Sequence, residues 1–244
     1  MEQIKKSEYI YLLVVLLPAA IVSGPFVADL IVSLIAIYFL GTKYELIVDF
    51  YKKYFFIKML FIFCFINILV SLTAENTFVS LKNSLTYLRF PIFLIAISFF
   101  FKKNFRLLNL LYYSLFFTIL VMCYDACFQF FTGKNIVGYL SNSRYRVSGL
   151  FRDEFILGSF LARVTPILLA IFYVVKEKKI KISVILLCML SYLTIILSGE
   201  RTSTAIITIF YLLYFIFIIN VSNKVKLYLL VGIVFSLYFT IFSS

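Results

Sequence analysis

Residues 176–202 read KEKKIKISVILLCMLSYLTIILSGERT: a lysine-rich patch, an unbroken apolar run, then a short polar turn. Lys176, Lys178, Lys179 and Lys181 crowd one end, and no charge follows until Glu200. An apolar run of about 18–20 residues is what a helix needs to cross a bilayer. Outward from this stretch the same pattern recurs along the whole chain. Of the 244 residues 64% are hydrophobic and the mean hydropathy is +1.06, whereas soluble domains are about half apolar. A β-barrel would show two-residue alternation, and none is present. The reading is therefore all-α: one polytopic transmembrane helical bundle covering residues 1–244.

Nine spans are expected, at about 8–23, 25–42, 55–73, 88–101, 107–131, 155–175, 180–198, 203–220 and 225–241. Gly24 and Pro25 make a tight first turn, and Pro91 suits the first turn of a short fourth span, where its missing N–H costs nothing. The net charge of +12 does not indicate nucleic acid, because the lysines sit in short loops between spans. Lys5 and Lys6, then Lys43, Lys52 and Lys53, then Lys102, Lys103 and Arg106, then the 176–181 patch, then Lys224 and Lys226 all fall on one side if the spans alternate. That excess places the N-terminus in the cytoplasm and, with nine spans, the C-terminus outside. Lys5 and Lys6 before an apolar run imitate a signal peptide, but with so many spans following, this segment reads as a retained first helix. The Asn220-Val221-Ser222 sequon falls on the inner side and is discounted.

The four cysteines, Cys64, Cys123, Cys127 and Cys188, all lie in apolar spans, with no CxxC pair and no histidine. They read as small core hydrophobes, and neither a metal nor another cofactor is expected.

The opposite side differs in kind. Its cations are mostly arginine: Arg89, then Arg144, Arg146 and Arg152 in the segment SRYRVSGLFRDEFILGSFLAR at 143–163, then Arg201 in Ser198-Gly199-Glu200-Arg201-Thr202. Arginine offers a planar fork that grips phosphate or carboxylate in a bidentate way, where lysine is a hydrated point charge. Arginines on the side that the lysine bias disfavours call for a reason. Binding an anionic group is one; pairing with Asp153, Glu154, Glu75 or Glu200, or contact with lipid phosphates, is the other. A helix starting near Asp153 puts Ile156, Ser159 and Arg163 on one face. Arg163, nine residues past Glu154, then lies roughly 13 Å along the helix, deep enough to need a polar cavity or an ion-pair partner. Gly158 and Ser159 allow close helix approach, and Pro166 is a candidate kink. Gly199 permits a tight turn, and Arg201 would add a directed cation to the first turn of the next helix, where free N–H groups already favour anions. The alternative there is an interface turn with Glu200 and Arg201 solvated. Asp29 and Asp125 lie toward the outer ends of their spans, with Gln129 on the same face as Asp125. They are read as structural hydrogen-bonding groups, counter-ions for the arginines, or an acid/base pair. Lys82 and Arg89 flank a further outer loop.

The stretch Arg146-Val-Ser-Gly-Leu-Phe-Arg-Asp-Glu-Phe-Ile-Leu-Gly-Ser-Phe-Leu, followed by an apolar span, a basic inner loop, another span and Ser198-Gly199-Glu200-Arg201-Thr202, resembles the O-antigen polymerase and O-antigen ligase family, and the polymerase branch especially. The motifs cover about 140–215. The resemblance implies a multi-pass glycosyltransferase of the bacterial inner membrane, working on the periplasmic face in lipopolysaccharide biosynthesis. The glycan donor would be linked to undecaprenyl pyrophosphate, with no metal or nucleotide sugar. Arg146 and Arg201 would hold the pyrophosphate, with Arg152 and Arg163 as further binding residues, and Asp153 or Glu154 would orient the acceptor or take its proton. The partners implied are the lipid-linked glycan, membrane lipid and other membrane proteins of polysaccharide assembly.

One departure stands out. The ligase branch carries a histidine in a long periplasmic segment after about its ninth span. This chain has no histidine and stops where that segment would begin, so an incomplete gene product is expected, or else a shortened relative that uses a carboxylate or lacks activity. Two other functions compete with this one: a lipid-linked oligosaccharide flippase, and an inactive membrane subunit. Alternating access needs polar groups at mid-membrane and often internal repeats; spans one, three and seven are almost uniformly apolar and no repeat is seen.

Overall fold

A computed structural model of the chain describes residues 2–140 and 146–217. Arg144, the end of the eighth expected span, the sequon, Lys224, Lys226 and the whole ninth span lie outside the described residues, as do the side chains of Lys5 and Lys6.

Among the described residues the chain is helical throughout: α1 Glu2–Ser23, α2 Pro25–Thr42, α3 Tyr44–Lys53, α4 Phe55–Ser71, α5 Thr77–Thr86, α6 Arg89–Lys103, α7 Arg106–Thr132, α8 Leu157–Val174, α9 Lys178–Leu197 and α10 Arg201–Phe217. A 3₁₀ turn, Gly149–Phe151, precedes α8. Among the described residues five helices are long and apolar enough to cross a membrane, namely Pro25–Thr42, the run Thr77–Lys103, Arg106–Thr132, Leu157–Val174 and Lys178–Leu197, and the bent pair Tyr44–Lys53 with Phe55–Ser71 makes a sixth if it is one span. Apolar stretches at Tyr9–Ser23 and Arg201–Phe215 are shorter.

Two segments expected as loops are helices. The outer loop expected between Lys82 and Arg89 is largely α5, with Lys82 exposed on it, and it continues into α6, so the fourth span is longer than its apolar core. The inner loop after α2 is α3, bent by 106° from α4. Its Ile47 is buried and Leu46 and Phe50 pack on the core, while Glu45, Asp49, Lys52 and Lys53 are exposed. Such a two-faced helix suits the plane of a bilayer surface more than its interior.

The chain forms two compact units, Met1–Ser114 and Leu115–Ser244, with the boundary inside α7. In the first, α2 and α6 run side by side in the same direction. Asp29 pairs with Arg89 at 2.8 Å near their starts, and Arg89 Nη1 donates to Ser33 Oγ at 3.2 Å. Further along, the Phe39 ring lies 5.7 Å from that of Phe99 and 6.0 Å, edge-on, from that of Phe100. Asp29 thus serves as the counter-ion of Arg89. With Asp29 53% exposed, the pair orients the helices more than it stabilises them. At the other end, Lys102 donates to Tyr54 Oη at 2.9 Å, and both Lys102 and Lys53 lie over the Tyr54 ring.

In the second unit α8 is the most enclosed helix. Leu157, Leu161 and Leu168 are fully buried; α8 packs chiefly on α9, and α10 packs on both.

Candidate functional site

The site region lies wholly in the second unit, where two side-chain clusters organise it. The first joins the two motifs. Ile156 is the N-cap of α8, so the N–H groups of Gly158 and Ser159 have no partner within the helix. Both are taken by Glu200, from the turn between α9 and α10: Gly158 N–H donates to Oε1 at 2.7 Å and Ser159 N–H to Oε2 at 3.0 Å. Ser159 Oγ and Ser203 Oγ each donate to Oε2 at 2.8 Å. The carboxylate is 8% exposed and fully engaged. Its charge is accommodated by the positive end of the α8 dipole and by four donors, which is how an anion is held at low dielectric.

The turn is built to deliver it. Ser198 caps α9 and donates to Ile195 O at 2.7 Å, and Gly199, at φ +69, reverses the chain in the left-handed region where side chains are strained. Glu200 then opens α10, its carbonyl accepting Thr204 N–H at 3.0 Å. Close approach on the other side depends on Gly158. A Cβ there would meet Ser198 Oγ at 2.6 Å and the Glu200 carboxylate at 3.1 Å. The small residues at 158 and 159 do permit close helix contact, as their size implied. Glu200 is neither solvated nor a counter-ion of an arginine; it caps a helix 42 residues away in sequence.

The second cluster pins the loops before α8. Asp125 and Gln129 are on one face of α7, as their spacing indicates, and both are buried. Asp125 Oδ1 accepts Ile136 N–H at 2.8 Å. Gln129 Oε1 accepts Ser148 N–H at 3.0 Å and Gly149 N–H at 2.7 Å. Asn135 is 1% exposed; its amide donates to Gly149 O at 2.9 Å and its Oδ1 accepts Tyr139 N–H at 2.8 Å. Asp125 and Gln129 are therefore structural hydrogen-bonding groups. Asn135 was not singled out from the sequence, although Asn-Ile-Val-Gly is an ordinary turn signal.

The arginines hang on this scaffold. Arg146 is half-buried, its guanidinium 4.5 Å from the centre of the Phe155 ring. Arg152 is exposed and lies 5.0 Å over the Tyr139 ring. Its backbone is unusual: φ 58 and ψ −114, in a turn closed by Glu154 N–H to Phe151 O at 3.1 Å. These are the angles of the first central residue of a type II′ turn, a glycine position. A side chain there costs about 1–3 kcal/mol. Arg152→Gly should therefore raise the midpoint of thermal unfolding while weakening binding of any anionic ligand; a lower midpoint would mean that the turn is not strained.

Asp153 and Glu154 lie in this turn, exposed, and not on the helix. The helix expected near Asp153 begins at Leu157, because Arg152 reverses the chain and the Glu200 cap fixes the first free N–H groups. Arg163 is thus six residues into α8 and exposed, with no hydrogen bond or ion pair to another described residue. Arg201 is exposed at the first position of α10. The Glu200 clamp joins the starts of α8 and α10, so Arg146, beside Phe155, and Arg201 sit toward the same end of this helix group. An apolar cavity of about 340 Å³ between α8, α9 and α10 is lined by Leu169, Phe172, Cys188, Tyr192, Tyr211 and Tyr214 among others, and by none of the four arginines. Among the described residues no group of three or more cysteine or acidic side chains could hold a metal ion.

Compared with known proteins, the chain matches no family model, and no curated protein or solved structure is significantly similar to it.

Proposed function

We propose that the chain is a membrane glycosyltransferase of surface-polysaccharide assembly, of O-antigen polymerase or ligase type. It would act on a glycan linked to undecaprenyl pyrophosphate at the periplasmic face of the bacterial inner membrane. The reading includes nine spans with the N-terminus inside. The parallel course of α2 and α6, with Asp29 and Arg89 at one end and Lys53 and Lys102 gathered on Tyr54 at the other, fits that alternation.

The observation that carries the proposal is the clamp from Glu200 to Gly158 and Ser159. The two motif segments behind the resemblance are separated by an entire inner loop and two spans, yet they meet through a buried carboxylate. Arg146 and Arg201 flank that junction. Transfer of the glycan leaves a pyrophosphate on the polyprenol, and preorganised guanidinium groups at a bilayer surface would stabilise that developing charge. They would also hold the anomeric carbon near the acceptor hydroxyl. Exposed Asp153 and Glu154 are the carboxylates placed to orient that hydroxyl or accept its proton.

The test is polymer lengthening in cells that depend on this protein. Arg146→Ala and Arg201→Ala should each reduce it by about 100-fold or more, with the protein still inserted. Arg201→Lys should fail similarly, because lysine lacks the fork. Normal polymer in both alanine variants would remove the assignment.

A further inference from the structure

At the C-terminal end of α7 a short loop, residues 133–140, combines an apolar outside with a backbone whose N–H groups are mostly hydrogen-bonded within the protein. Ile136 is 50% exposed, Val137 65% and Leu140 71%, and they continue the exposed pair Phe130 and Phe131 that ends α7. Below them on the same helix Phe117, Leu120, Val121 and Tyr124 are also exposed, on a span long and apolar enough to face lipid. The apolar surface of the loop is thus continuous with the lipid-facing surface of the helix.

Exposed apolar side chains alone would not carry the loop into a membrane. Irregular backbone is excluded from lipid because each unsatisfied N–H or C=O costs several kcal/mol. Here five of the loop's N–H groups find partners within the protein, and the bilayer interface, unlike the hydrocarbon core, offers water and headgroup oxygens to the rest. Gly133 N–H donates to Gln129 O, Asn135 N–H to Tyr139 O and Gly138 N–H to Asn135 O. Ile136 N–H goes to Asp125 and Tyr139 N–H to the Asn135 side chain. Both of those side chains are buried inside the protein. Exposed Lys134, at the start of the loop, has a stem long enough to leave its ammonium among headgroup phosphates.

We propose that residues 133–140 form a wedge that inserts into the bilayer interface at the C-terminal end of α7. The wedge would set the height of what rests on it. Tyr139 carries the Arg152 guanidinium, and Asn135 holds the backbone of Gly149. The loop from Arg146 to Ile156 would therefore be fixed in depth relative to the lipid phosphates. The inference does not depend on the glycosyltransferase reading, since it follows from the loop and α7 alone.

The chain contains no tryptophan, which makes a direct measurement available. Val137→Trp, Leu140→Trp and, as a mid-helix reference, Tyr124→Trp each give a protein with a single tryptophan. Each full chain is placed in phosphatidylcholine vesicles whose acyl chains are brominated near either the carbonyl or the methyl end. Val137→Trp and Leu140→Trp should emit to the blue of tryptophan in water and lose more emission to the shallow bromines than to the deep ones. Tyr124→Trp should show the reverse order. If either loop tryptophan is instead quenched by aqueous iodide and not by brominated lipid, the wedge does not exist. If neither quencher reaches them, protein covers the loop, from this chain or a second copy, and the proposal is equally overturned.

Discussion

Glu200→Ala should lower the stability of the protein by about 2–4 kcal/mol. The lower figure comes from three interhelical bonds and one local to α10, at the modest value typical of hydrogen bonds within membranes; the upper comes from charge-assisted bonds whose donors are left stranded. Two of the donors can adapt. Ser159 Oγ and Ser203 Oγ are 3.0 Å apart and can bond each other. The N–H groups of Gly158 and Ser159 cannot, because helix geometry aims them at the place the carboxylate leaves. Glu200→Gln separates shape from charge. One amide oxygen can serve one N–H, but the amide nitrogen must face the other, donor against donor. The serine hydroxyls can turn to accept from that nitrogen, so glutamine should fall between wild type and alanine. The measurement is the unfolding midpoint in mixed micelles, or the heat-induced loss of the monodisperse species in detergent. Equal midpoints for wild type and Glu200→Ala would show that the clamp contributes nothing.

The second large effect is expected on the opposite side of the same contact. Gly158→Ala gains up to about 1 kcal/mol of helix propensity, and in most exposed helices that term would win. At this position it should lose. The new methyl would stand 2.6 Å from Ser198 Oγ and 3.1 Å from the Glu200 carboxylate. The serine hydroxyl can rotate away only by leaving Ile195 O and Glu200 N–H, and the carboxylate is held by its own donors. Overpacking of this kind costs about 1–3 kcal/mol. The diagnostic result is the double variant. Ser198→Ala removes the atom that collides, so Gly158→Ala combined with Ser198→Ala should be more stable than Gly158→Ala alone, a coupling of about 1 kcal/mol. Simple additivity would mean that the α8 start and the α9–α10 turn are not in contact as described.

Long apolar helices announced themselves in the sequence. The expected spans at 25–42, 107–131, 155–175 and 180–198 match α2, α7, α8 and α9 to within two residues at either end. Each is bounded by charge, glycine or proline, and each is apolar apart from isolated polar residues, such as Asp125 and Gln129 in α7 and Arg163 in α8. α3 and α5 escaped because hydropathy detects helices that enter lipid, whereas these carry Glu45, Asp49, Lys52, Lys53 and Lys82 and have only one apolar face or none. The short loop between α8 and α9 was likewise visible as lysines, since charge concentrates where the chain leaves the bilayer.

The candidate site residues divide in the same way. Arginines in a charge-poor chain are conspicuous, so Arg146, Arg152, Arg163 and Arg201 could be named from composition alone. Their surroundings could not. Arg163 looked deep because the helix was expected to start at Asp153; the strained turn at Arg152 moves that start to Leu157 and shortens the depth. The charge of Glu200 suits an arginine, yet its partners are two backbone N–H groups and two serine hydroxyls. Every residue except proline carries an N–H, so residue type does not mark Gly158 and Ser159 as the backbone donors. Residue type and hydrophobic period dictate that there are membrane helices and where they break, because those depend on transfer of each segment into lipid. Which carboxylate meets which helix end, and which arginine faces which ring, depends on the approach of segments some 40 residues apart, and that is settled when α8, α9 and α10 pack.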